Sequence, residues 1–180
     1  MDHPLLDAYE DLLRSWAPRL DLFSPGDLHR LRSRHIEDSL QALPVLQGAS
    51  GPALDVGSGA GLPGIPLAIA GPPELNWRLL EPRKRRAAFL EEAVRELGLQ
   101  CEVLVLTAEE AARDPELAAA HAVATARALA PPVEAFRMLA PLVRPGGVAL
   151  IYLGERGEVP PGAEGRPGGL AIMERSADAN

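Results

Sequence analysis

Apolar residues recur at three- and four-residue intervals at Leu5, Leu6, Tyr9, Leu12, Leu13 and Trp16. That spacing predicts an amphipathic helix over residues 4 to 17, with Pro18 as its break. A capping serine followed by a proline suited to a first helical turn stands at Ser24-Pro25. The helix it opens would carry Leu28, Leu31, His35, Ile36, Leu40 and Leu43 and end before Pro44. Beyond Gly51-Pro52 the rhythm changes. Short apolar or β-branched runs at 53–56, 77–80, 101–106, 121–125 and 148–152 read as strands. Helical stretches at 62–70, about 84–97 and 132–142 separate them. The segment 155–169 is rich in Gly, Pro and charge and reads as loop, after which 170–173 can add one last strand.

Strands alternating with helices imply an α/β fold of the Rossmann-like kind: a mostly parallel sheet with helices on both faces. Residues 1–50 form a helical extension and residues 51–180 the core, within one compact domain.

Composition narrows the field. The chain has 180 residues, 47% of them apolar and 24% charged, as expected of a globular protein. No apolar run approaches the ~20 residues that span a bilayer. Acid stands near the N-terminus at Asp2, where a signal peptide carries base. Cys101 is the only cysteine, which excludes an internal disulfide and a multi-cysteine metal centre. His3, His29 and His121 lack metal-ligand partners, so no metal is expected. A cytoplasmic protein fits these features. The net charge of −7 argues against indiscriminate nucleic-acid binding, yet the cations are clustered.

The chemistry concentrates in Asp55-Val56-Gly57-Ser58-Gly59-Ala60-Gly61-Leu62-Pro63-Gly64, which runs from strand through loop into helix. Alternate glycines let the backbone turn sharply and approach a ligand with no Cβ in the way. The following helix turns its free N–H groups toward the same place. Two cofactors suit such a loop. Gly59-x-Gly61-x-x-Gly64 with Glu81 about 20 residues on satisfies the dinucleotide fingerprint. Asp55-x-Gly57-x-Gly59-x-Gly61 is the S-adenosylmethionine pattern, in which the acid ending the first strand helps orient the ammonium group. A nicotinamide enzyme needs a second half-sheet or a substrate domain, and the residues after the second strand offer no acid–base centre for hydride chemistry. The reading that follows is a methyltransferase; a nicotinamide oxidoreductase, or a methyltransferase-like module with altered substrate or no catalysis, is the alternative.

Two basic groups stand out, Arg83-Lys84-Arg85-Arg86 directly after Glu81, and Arg30, Arg32, Arg34 and His35 in the N-terminal segment. Cations opening a helix oppose its dipole. That cost, at the cofactor edge of the sheet, makes Arg83, Lys84, Arg85 and Arg86 candidate contacts for RNA phosphates. His35, Asp38 and Ser39 share one helical face; rather than a hydrolase triad, Asp38 and Ser39 are expected to anchor this helix against the loop near the cofactor.

His35-Ile36-Glu37-Asp38-Ser39-Leu40, the glycine loop continued as Leu62-Pro63-Gly64-Ile65-Pro66-Leu67, then Glu81 with Lys84-Arg85 and Phe89-Leu90, and lastly Ala126-Arg127-Ala128 resemble one family in order and spacing. It is the small-subunit ribosomal RNA methyltransferase G family, also called glucose-inhibited division protein B. The resemblance runs from about Leu5 to Leu153 and implies a bacterial cytoplasmic enzyme that methylates N7 of a guanosine in 16S ribosomal RNA. It places cofactor contacts at Gly57, Leu62, Ala108, Glu109 and Arg127, with Glu81 holding the ribose hydroxyls. Asp55, Gly59 and Gly61 complete the expected cofactor set. The family's usual Arg-Ala-Glu stands here as Thr107-Ala108-Glu109. N7 has a lone pair and no proton, so no catalytic residue is expected, and the 16S ribosomal RNA or small subunit is the expected partner.

Overall fold

Seven strands form one sheet in the order β3-β2-β1-β4-β5-β7-β6. They belong to a computed structural model that describes residues 3–20, 23, 25–154 and 157–177. The capping serine expected at Ser24, and Glu155 and Arg156 of the tail, lie outside the described residues. Strands β1 (Gly51–Val56), β2 (Leu75–Leu80), β3 (Glu102–Leu104), β4 (His121–Arg127) and β5 (Val143–Tyr152) pair in parallel. Short β6 (Glu164–Arg166) and β7 (Leu170–Glu174) close the far edge antiparallel. The chain thus runs outward from β1 in one direction through β2 and β3, and in the other through β4 and β5. The reversal falls between β1 and β4, where the ends of adjacent strands leave a crevice for ligand.

Burial on both sheet faces explains the unbroken apolar runs. Leu54, Val56 and Leu80 join one cluster with Phe136 and Leu139 of α8 (Pro132–Leu139). Their neighbours point the other way: Leu79 packs with Phe89 and Leu90 of α6 (Lys84–Leu97), and Ala53 and Trp77 with Leu67 of α5 (Gly64–Ala70). The alternation has the two-residue period of a strand.

The N-terminal segment departs from its expected form. Helix α1 runs from Pro4 to Leu20, through Pro18 rather than stopping at it. Leu6, Tyr9 and Leu13 are buried against α6, and that tertiary contact outweighs the local penalty of a late proline. The single helix expected from residue 24 to 43 is instead a series of short turns. They are α2 (Pro25–Leu28), a π-helical segment Leu31–Ile36, α3 (Glu37–Ser39), a 3-10 turn Leu40–Ala42, and α4 (Leu43–Leu46), which carries Pro44 inside it. Each change of winding re-aims the buried residues Leu31, Ile36, Ser39, Ala42 and Leu46. Helix α5 begins two residues later than expected because residues 60–63 are spent on a turn. An unexpected α7 (Ala108–Ala111) follows β3, opened by a capping box between Thr107 and Glu110. No helix among the described residues is long and apolar enough to cross a membrane.

Candidate functional site

The parallel ladder brings the C-terminal ends of five strands to one edge, and the residues singled out from the sequence collect there. Asp55 and Val56 end β1, Glu81 follows β2, Ala108 and Glu109 open α7 after β3, and Arg127 ends β4. Register places Leu80 beside both Val56 and Leu104, and Arg127 beside Tyr152.

The glycine loop crosses over the end of β2. The amides of Gly57 and Ser58 both donate to the Leu80 carbonyl, at 2.8 and 2.9 Å. Gly57 (φ +72) has no room for a side chain: a Cβ would lie 2.7 Å from Leu129 Cδ1, so the segment after β4 covers it. Gly59 differs. Its φ is +55, yet a Cβ there would meet nothing nearer than 3.8 Å, with an Arg86 guanidinium nitrogen at 4.0 Å. The loop therefore presents bare backbone to open space at Gly59, beside a cation. A nucleoside or other polar ligand can reach backbone groups at such a point, which a side chain would block. Leu62 turns into the apolar cluster with Tyr9 and Ile65.

Glu81 sits beneath this opening, 3% exposed. One carboxylate oxygen accepts the Gly59 amide and the other the Arg83 amide, each at 2.9 Å. It joins loop to helix, capping α6 where no side chain of the helix's own does so. Each oxygen retains a second acceptor site, so the group can also take hydroxyl hydrogens from a ligand.

Asp55 stands at the end of the first strand, as its spacing suggested, with its side chain turned inward. It is fully buried; Oδ2 accepts the Gly64 amide at 3.1 Å and Oδ1 the Thr125 hydroxyl at 3.1 Å. Burial pushes its carboxyl up to about 6. An acid enclosed in this way braces the loop against β4 and the start of α5.

Arg127 also turns away from the glycine loop, toward the N-terminal segment. Its guanidinium approaches His35 Nδ1 at 2.6 Å and donates to the His35 carbonyl at 3.1 Å. Asp38 Oδ2 and the Ser39 hydroxyl lie at 3.4 and 3.5 Å. Tyr152 adds a parallel tie from β5, donating to the Ser39 carbonyl at 2.5 Å. The shared face of His35, Asp38 and Ser39 thus anchors its helix at the ends of β4 and β5. An arginine stays protonated, so His35 must accept at Nδ1 and carry its proton on Nε2. Burial first, and the Arg127 charge second, hold His35 down at about 4.

Sequence reasoning missed Tyr9. Its hydroxyl reaches from α1 to donate to the Ala60 carbonyl at 2.5 Å, inside the glycine loop. In sequence Tyr9 is one more member of an apolar stripe; only the docking of α1 on the loop reveals the polar end. The basic run opens α6, with Arg83, Lys84 and Arg85 exposed and Arg86 half-buried. Arg85 donates to the Arg19 carbonyl at 3.0 Å, which draws the end of α1 into the same patch. No cluster of His, Cys, Asp and Glu suited to a metal ion occurs among the described residues.

Comparison with known proteins agrees with this architecture. A family model described as rRNA small subunit methyltransferase G matches residues 2–159. A ribosomal RNA small subunit methyltransferase G of Acidiphilium cryptum is 42% identical over 151 residues, covering 83% of this chain and 67% of that protein. One from Mycobacterium leprae is 43% identical over 148 residues, covering 82% of this chain and 59% of that protein. Among solved structures, a methyltransferase from Geobacter sulfurreducens superposes with a TM-score of 0.61 at 11% identity, over 97% of this chain and 89% of that one. The fold is the Rossmann-like class I methyltransferase fold, and the chain belongs to the rRNA small subunit methyltransferase G family.

Proposed function

We propose that this chain transfers the methyl group of S-adenosylmethionine to N7 of a guanosine in 16S ribosomal RNA. The observation that carries the reading is the meeting of bare backbone at Gly59 with the buried carboxylate of Glu81, at the reversal of strand order, in a chain of this family. The cofactor supplies an electrophilic methyl group on a sulfonium, which the guanine N7 lone pair attacks as the carbon–sulfur bond breaks. Positive charge passes from sulfur to the purine and no proton is removed.

The protein's work is then binding and alignment. Gly57, Gly59, Gly61 and Leu62 offer backbone to the cofactor, and Glu81 takes its ribose hydroxyls. Ala108 and Glu109 border the base side of the site, because β3 ends beside β2. Asp55 keeps the loop in shape from behind. Arg127 stands at the substrate side and fixes the N-terminal segment over the strand ends. Arg83, Lys84, Arg85 and Arg86 meet RNA phosphates. No residue serves as a general base, and none is needed. The nicotinamide reading loses its support, because the family is a methyltransferase family and Glu81 serves ribose in either cofactor.

Labelled methyl transfer to 30S subunits that lack the modification, followed by mapping of the methylated nucleotide, tests the reading. Label at a guanosine N7 of 16S ribosomal RNA is the expected result. Cofactor binding without transfer to RNA would overturn it.

A further inference from the structure

Beside Arg127, on the side away from the glycine loop's partner strand β2, a pocket of about 450 Å³ lies over the end of β5. Asp38 and Gln41 border it from the N-terminal segment, Tyr152 and Gly154 from the end of β5, and Gly168 and Gly169 from the turn before β7. Its volume is in the range of small-ligand pockets, about 300–1,000 Å³. We propose that this is the pocket for the target base, and that Asp38 selects guanine by accepting its N1–H and N2–H; the proposal rests on the methyltransferase reading above.

Position comes first. The pocket is one strand from β4 and two from β1, so it stands roughly 10 Å from the end of the strand that feeds the glycine loop. A base held there is within a nucleotide's reach of a methyl donor on that loop. Enzymes that act on a base take it out of its stack, and RNA readers recognise such splayed bases by their Watson–Crick edge. Gly154 leaves its part of the wall open, a Cβ there meeting nothing within 4 Å, which admits a flat ring; the space beside Gly168 is taken by the Gln41 side chain.

Chemistry then chooses the base. Asp38 is half-buried and oriented by two neighbours: Oδ1 accepts from Gln41 Nε2 at 2.8 Å, and Oδ2 faces Arg127 Nη1 at 3.4 Å. An ionised carboxylate has about four acceptor sites, so each oxygen keeps one for a ligand. Guanine alone among the RNA bases presents two adjacent donors, N1–H and N2–H, on its Watson–Crick edge. Adenine and cytosine place a bare ring nitrogen there, which a carboxylate repels, and uracil offers one donor between two acceptors. The pairing is bidentate and charge-assisted, which fixes direction as well as identity. N7 lies on the neighbouring Hoogsteen edge of the purine, so a guanine held by Asp38 leaves that lone pair free to face the donor. Arg34 also borders the pocket, on the same segment.

The test compares 30S subunits reconstituted with guanosine or inosine at the mapped target position, inosine lacking the 2-amino group. For the wild-type protein, removal of one charge-assisted hydrogen bond lowers kcat/KM about tenfold or more. In Asp38→Ala, and in Asp38→Asn should the alanine variant fold poorly, that preference falls to about twofold or less. Calorimetric titration of S-adenosylmethionine and thermal unfolding confirm that each variant is folded and loaded. A purely structural Asp38 would depress both substrates alike and leave the ratio intact; that outcome overturns the proposal while the methyltransferase reading stands. Failure of the wild-type protein to methylate either RNA overturns both.

Discussion

Arg127 and His35 stand 92 residues apart in sequence and 2.6 Å apart in space, with a guanidinium nitrogen directed at the imidazole Nδ1. The contact fixes the tautomer of His35 and ties the π-helical segment to the last residue of β4. π-Helical turns are rare in general and concentrate at functional sites. Here the wider turn carries His35 to the strand end, and Phe23 packs on the imidazole with ring centroids 5.1 Å apart.

The titration of His35 should report this contact. Burial and the Arg127 charge hold the folded-state value near 4, below the usual 6.5. Between those values the unfolded chain binds a proton that the folded chain refuses, so stability is lost as pH falls from about 6.5 toward 4. Imidazole resonances should titrate near pH 4 in the wild-type protein. In Arg127→Ala the midpoint should rise, yet stay below 6.5 because burial remains. A midpoint unmoved by the substitution would show that the guanidinium exerts no influence on the ring.

At the glycine loop two substitutions separate space from chemistry. Gly59→Ala places a methyl group in the opening beside Arg86 and strains a backbone at φ +55, at a folding cost of about 1–2 kcal/mol. S-adenosylmethionine affinity should fall by more than the fold does. Glu81→Ala removes the acceptor for the ribose hydroxyls and also frees the Gly59 and Arg83 amides. Loss of about 1–3 kcal/mol in binding, read by calorimetry, is the expected result. A change below about twofold would remove Glu81 from the cofactor site.

Much of the fold was legible because its signals are local. The short apolar runs of β1 and β2, the glycine loop and the end of α6 at Gly98 with its left-handed conformation all follow from short-range chemistry. The N-terminal segment was not legible in the same way. Its helical spacing over residues 24 to 43 is real, but the segment must satisfy Arg127 and Tyr152 at once, and those partners lie 88 to 113 residues downstream. The winding changes several times to meet them. Strand β6 was equally hidden, since Glu164, Gly165 and Arg166 are all exposed and carry no apolar pattern. In the site, types of residue were legible and directions were not. Asp55 and Arg127 stand at the expected strand ends, yet one is enclosed and the other faces the N-terminal segment.

Asp55 makes a second prediction about pH, opposite in sign to that of His35. Its carboxyl is pushed up to about 6 by burial, against an ordinary 3.8, despite the hydrogen bonds it accepts. Holding it ionised at neutral pH costs about 3 kcal/mol, and that cost is relieved as pH falls through 6 toward 4. Stability measured by denaturant should therefore carry a contribution that grows on acidification in this window. Asp55→Asn should remove it, and the difference between variant and wild-type free energies should slope with pH between 4 and 6. A flat difference would show that the buried acid ionises freely.

The basic run at the start of α6 offers the sharpest contrast between binding and stability. Arg85 is committed to the Arg19 carbonyl and Arg86 borders Gly59, whereas the side chains of Arg83 and Lys84 make no ion pair among the described residues. Both are exposed at the positive end of a 14-residue helix, which their charges oppose. Removing those charges should stabilise the fold slightly, by about 0.3–1 kcal/mol for each. If the run meets RNA phosphates, the same change should weaken binding. The double variant Arg83→Gln with Lys84→Gln should therefore melt no lower than wild type and bind S-adenosylmethionine within about twofold of it. It should also bind 16S ribosomal RNA less tightly. The slope of log affinity against log salt should fall by about 1.4, because two phosphates of a single strand are no longer neutralised. An unchanged salt slope would make these two cations part of a solvated helix face, and the RNA path would then have to run along Arg30, Arg32 and Arg34 instead.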